Sequence, residues 1–329
     1  MEVWLVVALD RQGSTAVAAT KLRPPSVPRT LVQRDHLVQA FTDEPLPVTL
    51  VCGPAGAGKT TLLTSWIAAR HGSELPVVWL DLDGHDDDAF LLWNALLAAF
   101  RSSGVFTEDD RIHAMQPPRG GADGAFLAEL MDAVGHLEQP LWLVLDDVHE
   151  LTDPDALASL DLMLRRLPTS LRVVLSSRAD PPLGLQRLRL AGALREIRIG
   201  DLAFTRDEAA ELLERHAVTI EEQVADELLL RTEGWAAGLQ IAALALVDDP
   251  DPHGFMHRFN GNDRSVADYL VEEILGRQTA ETRRFLLETS TCTRIAIDLA
   301  EHLTGRHDVG QVLDGLVREN SLTVLVGER

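Results

Sequence analysis

The stretch Gly53-Pro-Ala-Gly-Ala-Gly58-Lys59-Thr60 matches the pattern G-x-x-x-x-G-K-[ST] of a phosphate-binding loop. A short apolar run at 48–52 precedes it, and the residues that follow predict a helix over 59–70. Glycines let the backbone curl so that successive N–H groups face one anion, and the helix adds the positive end of its dipole. The stretch therefore predicts a strand, a turn and a helix that together hold a polyphosphate.

The polar residues of this loop have separate predicted roles in holding a nucleoside triphosphate with Mg²⁺. Lys59 supplies a positive charge for the β- and γ-phosphates, and the Thr60 hydroxyl is predicted to ligate the metal. Thr61 is predicted to reach the α-phosphate. An ordinary glycine-rich turn is the alternative, and the flanking strand and helix argue against it. The predicted nucleotide-binding residues of the loop are Gly53, Pro54, Ala55, Gly56, Ala57, Gly58, Lys59, Thr60 and Thr61.

A second motif is an apolar strand that ends in two carboxylates, Leu141-Trp-Leu-Val-Leu-Asp146-Asp147. This is the Walker B pattern, in which Asp146 is predicted to bind the Mg²⁺ shell and Asp147 to orient or deprotonate the attacking water. The strand predicted at 171–176 delivers Arg178 to the same edge of the sheet, where it is predicted to sense the γ-phosphate. The alternatives are a solvated carboxylate pair and a surface salt bridge of Arg178. The predicted catalytic residues are Lys59, Asp146, Asp147 and Arg178, and the predicted metal ligands are Thr60 and Asp146.

Strand and helix patterns alternate from residue 48 to about residue 200. Near-continuous apolar strands between helices indicate a parallel sheet that is covered on both faces. The strand at 77–82 lies between the two motifs, which indicates the ASCE type of P-loop NTPase, the class with an inserted strand. The predicted strands are 48–52, 77–82, 141–145, 171–176 and 195–199, and the predicted helices are 59–70, 88–101, 125–137, 154–167 and 184–192.

Helical patterns replace the strands after residue 200. Thr205-Arg-Asp-Glu208 and Thr219-Ile-Glu-Glu222 each match a capping box that opens a helix, and a third helix is predicted over 235–246. The last segment predicts helices at 266–276, 279–289, 296–304 and 308–319 and a strand at 322–326, as in a winged-helix domain cut inside its wing. The predicted organisation is an extension (1–20), a P-loop NTPase domain (21–200), a helical domain (201–260) and a truncated winged-helix domain (261–329).

Composition narrows the classes of function. The chain has 329 residues and a formal net charge of −21, which disfavours DNA binding by this chain because such affinity comes mostly from Lys and Arg. Its two cysteines, Cys52 and Cys292, fit no metal spacing and favour a reduced, cytoplasmic protein. No stretch approaches the ~18 apolar residues of a membrane span. A buried tryptophan core is predicted to include Trp79, Trp93, Trp142 and Trp235.

As a set, these motifs resemble the MalT-like, large LuxR-type transcriptional regulators. Those proteins are STAND-class P-loop NTPases, and the likeness extends over residues 20–329. Besides the loop, it rests on LVLDDVHEL, SSRADPPLGLQRLR, Lys21-Leu-Arg-Pro-Pro, Val27-Pro-Arg29, Gly234-Trp-Ala-Ala-Gly-Leu239 and Ser265-Val-Ala-Asp-Tyr-Leu270.

The resemblance implies a regulatory switch that binds ATP or ADP with Mg²⁺. ADP would hold a closed state, whereas ATP and an inducer would open it and drive self-association. The sensor and the helix-turn-helix of the family would follow this fragment. Val27 and Arg29 would border the adenine, and Arg34 would contact the nucleotide or close the domain interface. Gly234–Leu239 lies where the class has a glycine–proline signature, but alanine stands at the proline position.

Two other functions compete with the regulatory switch. One is a P-loop ATPase or kinase that turns over a separate substrate, and the other is an assembly scaffold in which the nucleotide is only structural. Two helical segments follow the sheet, and the sequence shows no motif for a second substrate. Both observations favour the switch. A turnover enzyme would cycle without a partner, and a scaffold would bind ADP and ATP equally.

Overall fold

The computed structural model describes residues 16–69, 76–118, 123–247, 255, 278–290, 292 and 295–318. Its centre is a five-stranded parallel sheet, as the alternating pattern predicts. The strands are β1 (Val48–Cys52), β2 (Val77–Asp81), β3 (Leu141–Asp146), β4 (Leu171–Ser177) and β5 (Leu194–Ile197).

Fourteen helices surround or follow the sheet within these ranges. Short 3₁₀ turns lie at Ala19–Leu22 and Val148–Glu150. The α-helices are α1 (Asp35–Thr42), α2 (Lys59–Ala69), α3 (Ala89–Ser102), α4 (Arg111–Ala114), α5 (Gly124–Gly135), α6 (Pro154–Leu164), α7 (Leu185–Leu190), α8 (Ile199–Leu202), α9 (Arg206–Arg215), α10 (Glu222–Thr232), α11 (Ala236–Val247), α12 (Ala280–Thr289), α13 (Ile297–Thr304) and α14 (Val309–Arg318).

The strand order, β2-β3-β4-β1-β5, determines where the two motifs meet. β4 lies between the strand that precedes the phosphate loop and the strand that ends in the two aspartates. This confirms the predicted class, although the strand inserted in space is β4. The strand predicted between the motifs in sequence, β2, instead pairs with the far side of β3. All five strands are parallel, so their carboxyl ends share one edge.

Successive side chains of the buried strands point to opposite faces of the sheet and contribute to two hydrophobic clusters, one on each face. One face contacts α3, α5 and α6, and the other contacts α1 and α2, where the rings of Phe41 and Trp66 stack with centroids 4.7 Å apart. Leu50, Leu143 and Leu175 belong to the first cluster, and Val51, Val144 and Val174 belong to the second. Helices α9, α10 and α11 form a third cluster that includes Val32. A fourth joins α12, α13 and α14.

One of the two predicted capping boxes is present. The Thr205 hydroxyl accepts from the Glu208 N–H at 3.3 Å, and the Glu208 carboxylate accepts from the Thr205 N–H at 2.9 Å. The box predicted at Thr219 is wrong, because α10 begins at Glu222 after Glu221, which makes no side-chain cap. The helix predicted at 266–276, the strand at 322–326 and the motif at 265–270 lie outside the described residues. Within the described residues, no helix combines the length and the hydropathy of a membrane span.

Candidate functional site

The phosphate loop connects the end of β1 to the first residue of α2, as predicted. Gly56 and Gly58 take φ values of +70° and +86°, which side chains with a Cβ rarely adopt. The Leu62 N–H donates to the carbonyl of Gly58 at 2.8 Å, so the helix grows directly out of the loop. The loop therefore lies at the positive end of the helix, where anions bind.

Lys59 lies at the centre of the loop and is 7% exposed. Its ammonium donates to the carbonyl oxygens of Gly53 at 2.9 Å and Pro54 at 3.2 Å. Burial lowers the pKa of Lys59, and the charges of Asp147 and Asp146 oppose that effect. A desolvated cation in this position attracts a phosphate far more strongly than an exposed lysine does.

The loop and the second motif meet through a hydrogen bond between side chains. The Thr60 hydroxyl donates to the Asp146 carboxylate at 2.8 Å, and Asp146 itself is only 2% exposed at the end of β3. A hydroxyl and a carboxylate are hard oxygen ligands of the kind that Mg²⁺ takes beside phosphate oxygens. The chemistry of this pair fits the predicted metal site.

Asp147 follows β3 in a left-handed conformation, with φ 57° and ψ 43°. Burial, and secondly the charge of Asp146, raise the pKa of Asp147 to about 6, against the opposing effect of Lys59 and Arg178. Since Arg178 acts electrostatically on both Lys59 and Asp147, it belongs to the same charged group. All four predicted catalytic residues are therefore brought together at the carboxyl edge of the sheet.

Asp81 adds a carboxylate that neither motif identifies. It ends β2 and is paired in register with Asp146 on β3. Burial, followed by the charge of Asp146, raises the pKa of Asp81. The signal for this placement was an aspartate at a strand end, but the strand order was needed to bring the two carboxylates side by side.

A cavity of about 380 Å³ opens beside the loop. One wall comes from residues 28–34, a second from the loop and α2, and a third from α11. Its lining residues are Pro28, Thr30, Leu31, Val32, Arg34, Gly56, Gly58, Thr61, Leu62, Ser65, Phe204, Leu212, Ala236, Ala237 and Gln240. The mainly apolar lining next to a phosphate loop is suited to the nucleoside part of a nucleotide.

Val27 and Arg29, predicted to border the adenine, and Arg34, predicted to contact the nucleotide or close the domain interface, are placed differently from one another. Val27 is half-buried and Arg29 exposed, and neither lines the cavity, whereas their neighbours Pro28 and Thr30 do. Arg34 lines the cavity and is 8% exposed. The Arg34 guanidinium is joined to the junction of α8 and α9, donating to the carbonyls of Leu202 (2.8 Å), Ala203 (2.9 Å) and Asp201 (3.2 Å) and to the Glu208 carboxylate (3.0 Å).

The helical cluster also holds the phosphate loop directly. The Trp235 indole N–H donates to the Ala55 carbonyl at 3.0 Å, and the Ala237 N–H donates to the Gly56 carbonyl at 3.0 Å. The prediction of Trp235 as a buried core residue is wrong, since it is half-buried against the loop. Its contact with the loop was missed because the partners are 180 residues apart. Trp79, Trp93 and Trp142 are buried as predicted.

The comparisons with known proteins agree with this geometry. Residues 30–176 match the family model described as the AAA ATPase domain, and residues 271–329 match the MalT winged helix domain. The chain is 33% identical over 302 residues to the HTH-type transcriptional regulator MalT of Serratia proteamaculans, covering 90% of this chain and 33% of that protein. The chain has a P-loop NTPase fold and is similar to MalT regulators over 90% of its length. The MalT of Yersinia enterocolitica is 31% identical over the same proportions.

The chain spans about a third of the length of these curated relatives. Its fold is also similar to that of a Walker-type ATPase of Pyrococcus abyssi, with a TM-score of 0.61 at 16% identity. That alignment covers 91% of this chain and 93% of the archaeal one. At this identity the likeness shows a common fold.

Proposed function

We propose that this chain is the ATP- and ADP-binding switch module of a transcriptional regulator. The observation that carries the proposal is the double attachment of the phosphate loop, to the sheet through β1 and α2 and to α11 through Trp235 and Ala237. A nucleotide in the adjoining cavity would contact both bodies at once. The affinity for the nucleotide would then depend on how the sheet and α11 are arranged. A ligand that binds one arrangement more tightly shifts the conformational equilibrium toward it.

The phosphates would bind in the loop and the nucleoside in the cavity. The loop amides and Lys59 would hold the β- and γ-phosphates, and Thr61, which lines the cavity, would reach the α-phosphate. Val27 and Arg29 are still proposed to lie near the base, because both adjoin Pro28, which lines the cavity. Arg34 would act on the interface, since its guanidinium is joined to the α8–α9 junction.

The hydrolytic step is proposed to be slow and to serve the switch. Mg²⁺ bound by Thr60 and Asp146 would neutralise phosphate charge. Asp147, half-buried next to Asp146, would orient the attacking water and accept its proton. Arg178 would stabilise the charge that develops on the γ-phosphate. After hydrolysis, ADP would occupy the same cavity without the contacts of the γ-phosphate.

The wider regulatory cycle is also a proposal. The ATP-bound chain would associate with further copies of itself, and an inducer would act through segments of the regulator outside this chain. With a net charge of −21, this chain is not expected to bind DNA directly.

Hydrogen exchange of the α11 amides tests the switch. In the wild type, ADP and Mg²⁺-ATP should give different protection of residues 236–239, because the amide of Ala237 bonds to the loop. Asp147→Asn should bind ATP but keep the ATP pattern for much longer than the wild type, which should drift to the ADP pattern. Asp109→Asn, at an exposed carboxylate, serves as the control.

Three results would contradict the proposal. Identical exchange with ADP and ATP would indicate a scaffold with structural nucleotide. Many turnovers per minute without a partner would indicate a turnover enzyme. An Asp147→Asn variant that hydrolyses at the wild-type rate would remove Asp147 from the proposed role.

A further inference from the structure

The side-chain carboxamide of Gln240 lies in the cavity wall and is oriented by a residue that does not line the cavity. Gln240 on α11 lines the cavity, and its Oε1 lies 3.2 Å from Nε2 of His216, which follows α9. A carboxamide oxygen only accepts, so the His216 Nε2 must carry the hydrogen and donate it. Among the described residues, the amide nitrogen of Gln240 has no hydrogen-bond partner, so the NH₂ group is the part of Gln240 left to a ligand.

The position of Gln240 along α11 matches the base end of a nucleotide. Ala236, in the first turn, is the residue that a Cβ on Gly58 of the loop would meet at 3.7 Å. Gln240 is four residues further along the same face of the helix, which corresponds to about 6 Å of helix rise. The phosphates would lie against the first turn of α11, and the nucleoside against the second.

The surroundings make this donor selective. Leu31, Val32, Phe204 and Leu212 supply apolar wall of the same cavity, whereas the hydroxyls of Thr61 and Ser65 lie on α2. In an apolar cavity a polar group favours a ligand that pairs with it and penalises a ligand that leaves it unpaired. A purine ring offers in-plane nitrogen acceptors for an N–H donor.

We propose that Gln240 reads the base, donating its amide N–H to a ring nitrogen of the bound purine. His216 acts as a positioning residue, because its hydrogen bond to Oε1 turns the NH₂ group toward the cavity. The inference rests on the proposed nucleotide binding and adds to it a residue that determines specificity.

Calorimetric titration with ADP and with tripolyphosphate tests the role of Gln240. Gln240→Leu should weaken ADP binding about tenfold, which corresponds to ~1.4 kcal/mol, and leave tripolyphosphate binding unchanged because that probe has no base. Gln223→Leu, at an exposed glutamine on α10, should change neither affinity. Gln240→Glu, which keeps the size but lacks the donor, should repeat the loss if the leucine variant folds poorly.

Deaza analogues of ADP, each lacking one ring nitrogen, locate the acceptor. The wild type should bind one of the 1-, 3- and 7-deaza analogues more weakly than ADP, and Gln240→Leu should bind that analogue and ADP equally. His216→Leu should shrink this difference, whereas His216→Gln, which keeps an N–H donor, should retain it. A histidine that merely stabilised the helices would not change the ratio.

The failures can be told apart. If the folded wild type binds neither ADP nor tripolyphosphate, the proposed function itself is wrong. If the wild type binds both and Gln240→Leu binds ADP with unchanged affinity, only the role of Gln240 is wrong. Equal loss of ADP and tripolyphosphate binding in the variant would also overturn it, since the effect would not come from the base.

Discussion

At the scale of single residues, the site depends on buried and half-buried side chains that partly neutralise one another. Thr60 and Asp146, 86 residues apart in the chain, meet at 2.8 Å. Burial lowers the pKa of Lys59. Burial and the charge of Asp146 raise the pKa of Asp147 to about 6. The charges of this group are imperfectly paired while the site is empty. Binding of a further anion together with its metal is therefore favoured.

A second charged group stabilises the edge of the sheet next to the loop. Glu196 on β5 accepts from Arg189 at 2.8 and 2.9 Å and from Arg198 at 3.1 Å, and Arg189 also pairs with Asp180. The hydrogen bond from Arg189 is the main cause that lowers the pKa of Glu196 to about 2. This network ties β5 to α7 and to the segment after β4 that carries Arg178.

The depressed pKa of Glu196 predicts an acid-sensitive contribution to stability. A carboxylate with a lowered folded-state pKa stabilises the fold above its unfolded value of 4.5 and loses that contribution as pH falls toward 2. Glu196→Gln should therefore lower the free energy of unfolding by about 1–2 kcal/mol at pH 7, after screening by solvent, and by much less at pH 3. Urea unfolding at the two pH values measures the difference.

Glu129→Gln provides the control for this prediction. Glu129 is exposed on α5 and has no ion-pair partner among the residues that the structure describes. Its variant should be as stable as the wild type at both pH values. An equal loss at pH 7 and pH 3 in Glu196→Gln would contradict the assigned ionic origin.

At the scale of elements, the connection between the sheet and the helices depends on the turn before α11. Gly234 has a φ of +73°, and a Cβ there would lie 2.7 Å from the carbonyl oxygen and 2.8 Å from the nitrogen of Phe204. The Phe204 N–H also donates to the Gly234 carbonyl at 2.8 Å. This close approach fixes where α11 starts, and hence where Trp235 and Ala237 meet the loop.

Gly234→Ala should be more destabilising than its conformation alone explains. Gly192 has a similar φ of +63°, and a Cβ added there would meet nothing within 4 Å, so Gly192→Ala measures the conformational strain by itself, about 1 kcal/mol. Gly234→Ala should lose at least about twice that and should also weaken ADP binding. Thermal unfolding of both variants, with and without ADP, makes the comparison. Equal losses would contradict a backbone clash.

Elements could be predicted from the sequence because their signals are local. The apolar runs of the strands and the box at Thr205 each lie within a few residues of the element they define. The contacts of α11 with the loop and those of Arg34 with Glu208 could not be predicted, because they join segments more than 170 residues apart. The position of Asp81 next to Asp146 could not be predicted either, because it depends on the pairing of β2 with β3.

At the scale of the whole molecule, three walls around one cavity come from distant parts of the chain. Residues 28–34, the loop with α2, and α11 are far apart in sequence. Val32 and α11 belong to one hydrophobic cluster, whereas the loop and α2 belong to another. A ligand that fills this cavity would contribute binding energy to their arrangement, and it would stabilise whichever arrangement binds it better.

The central claim is that the loop holds the phosphates of a nucleotide through Lys59, and calorimetric titration with ADP and with Mg²⁺-ATP tests it most directly. Folded, nucleotide-free wild-type protein should bind both nucleotides, and Lys59→Ala should lose roughly 100-fold in affinity, about 2.7 kcal/mol. Lys21→Ala, which removes a lysine that pairs with Asp83 and Asp86, should bind as the wild type does. The account is contradicted if the wild type gives no binding heat, or if Lys59→Ala binds with unchanged affinity.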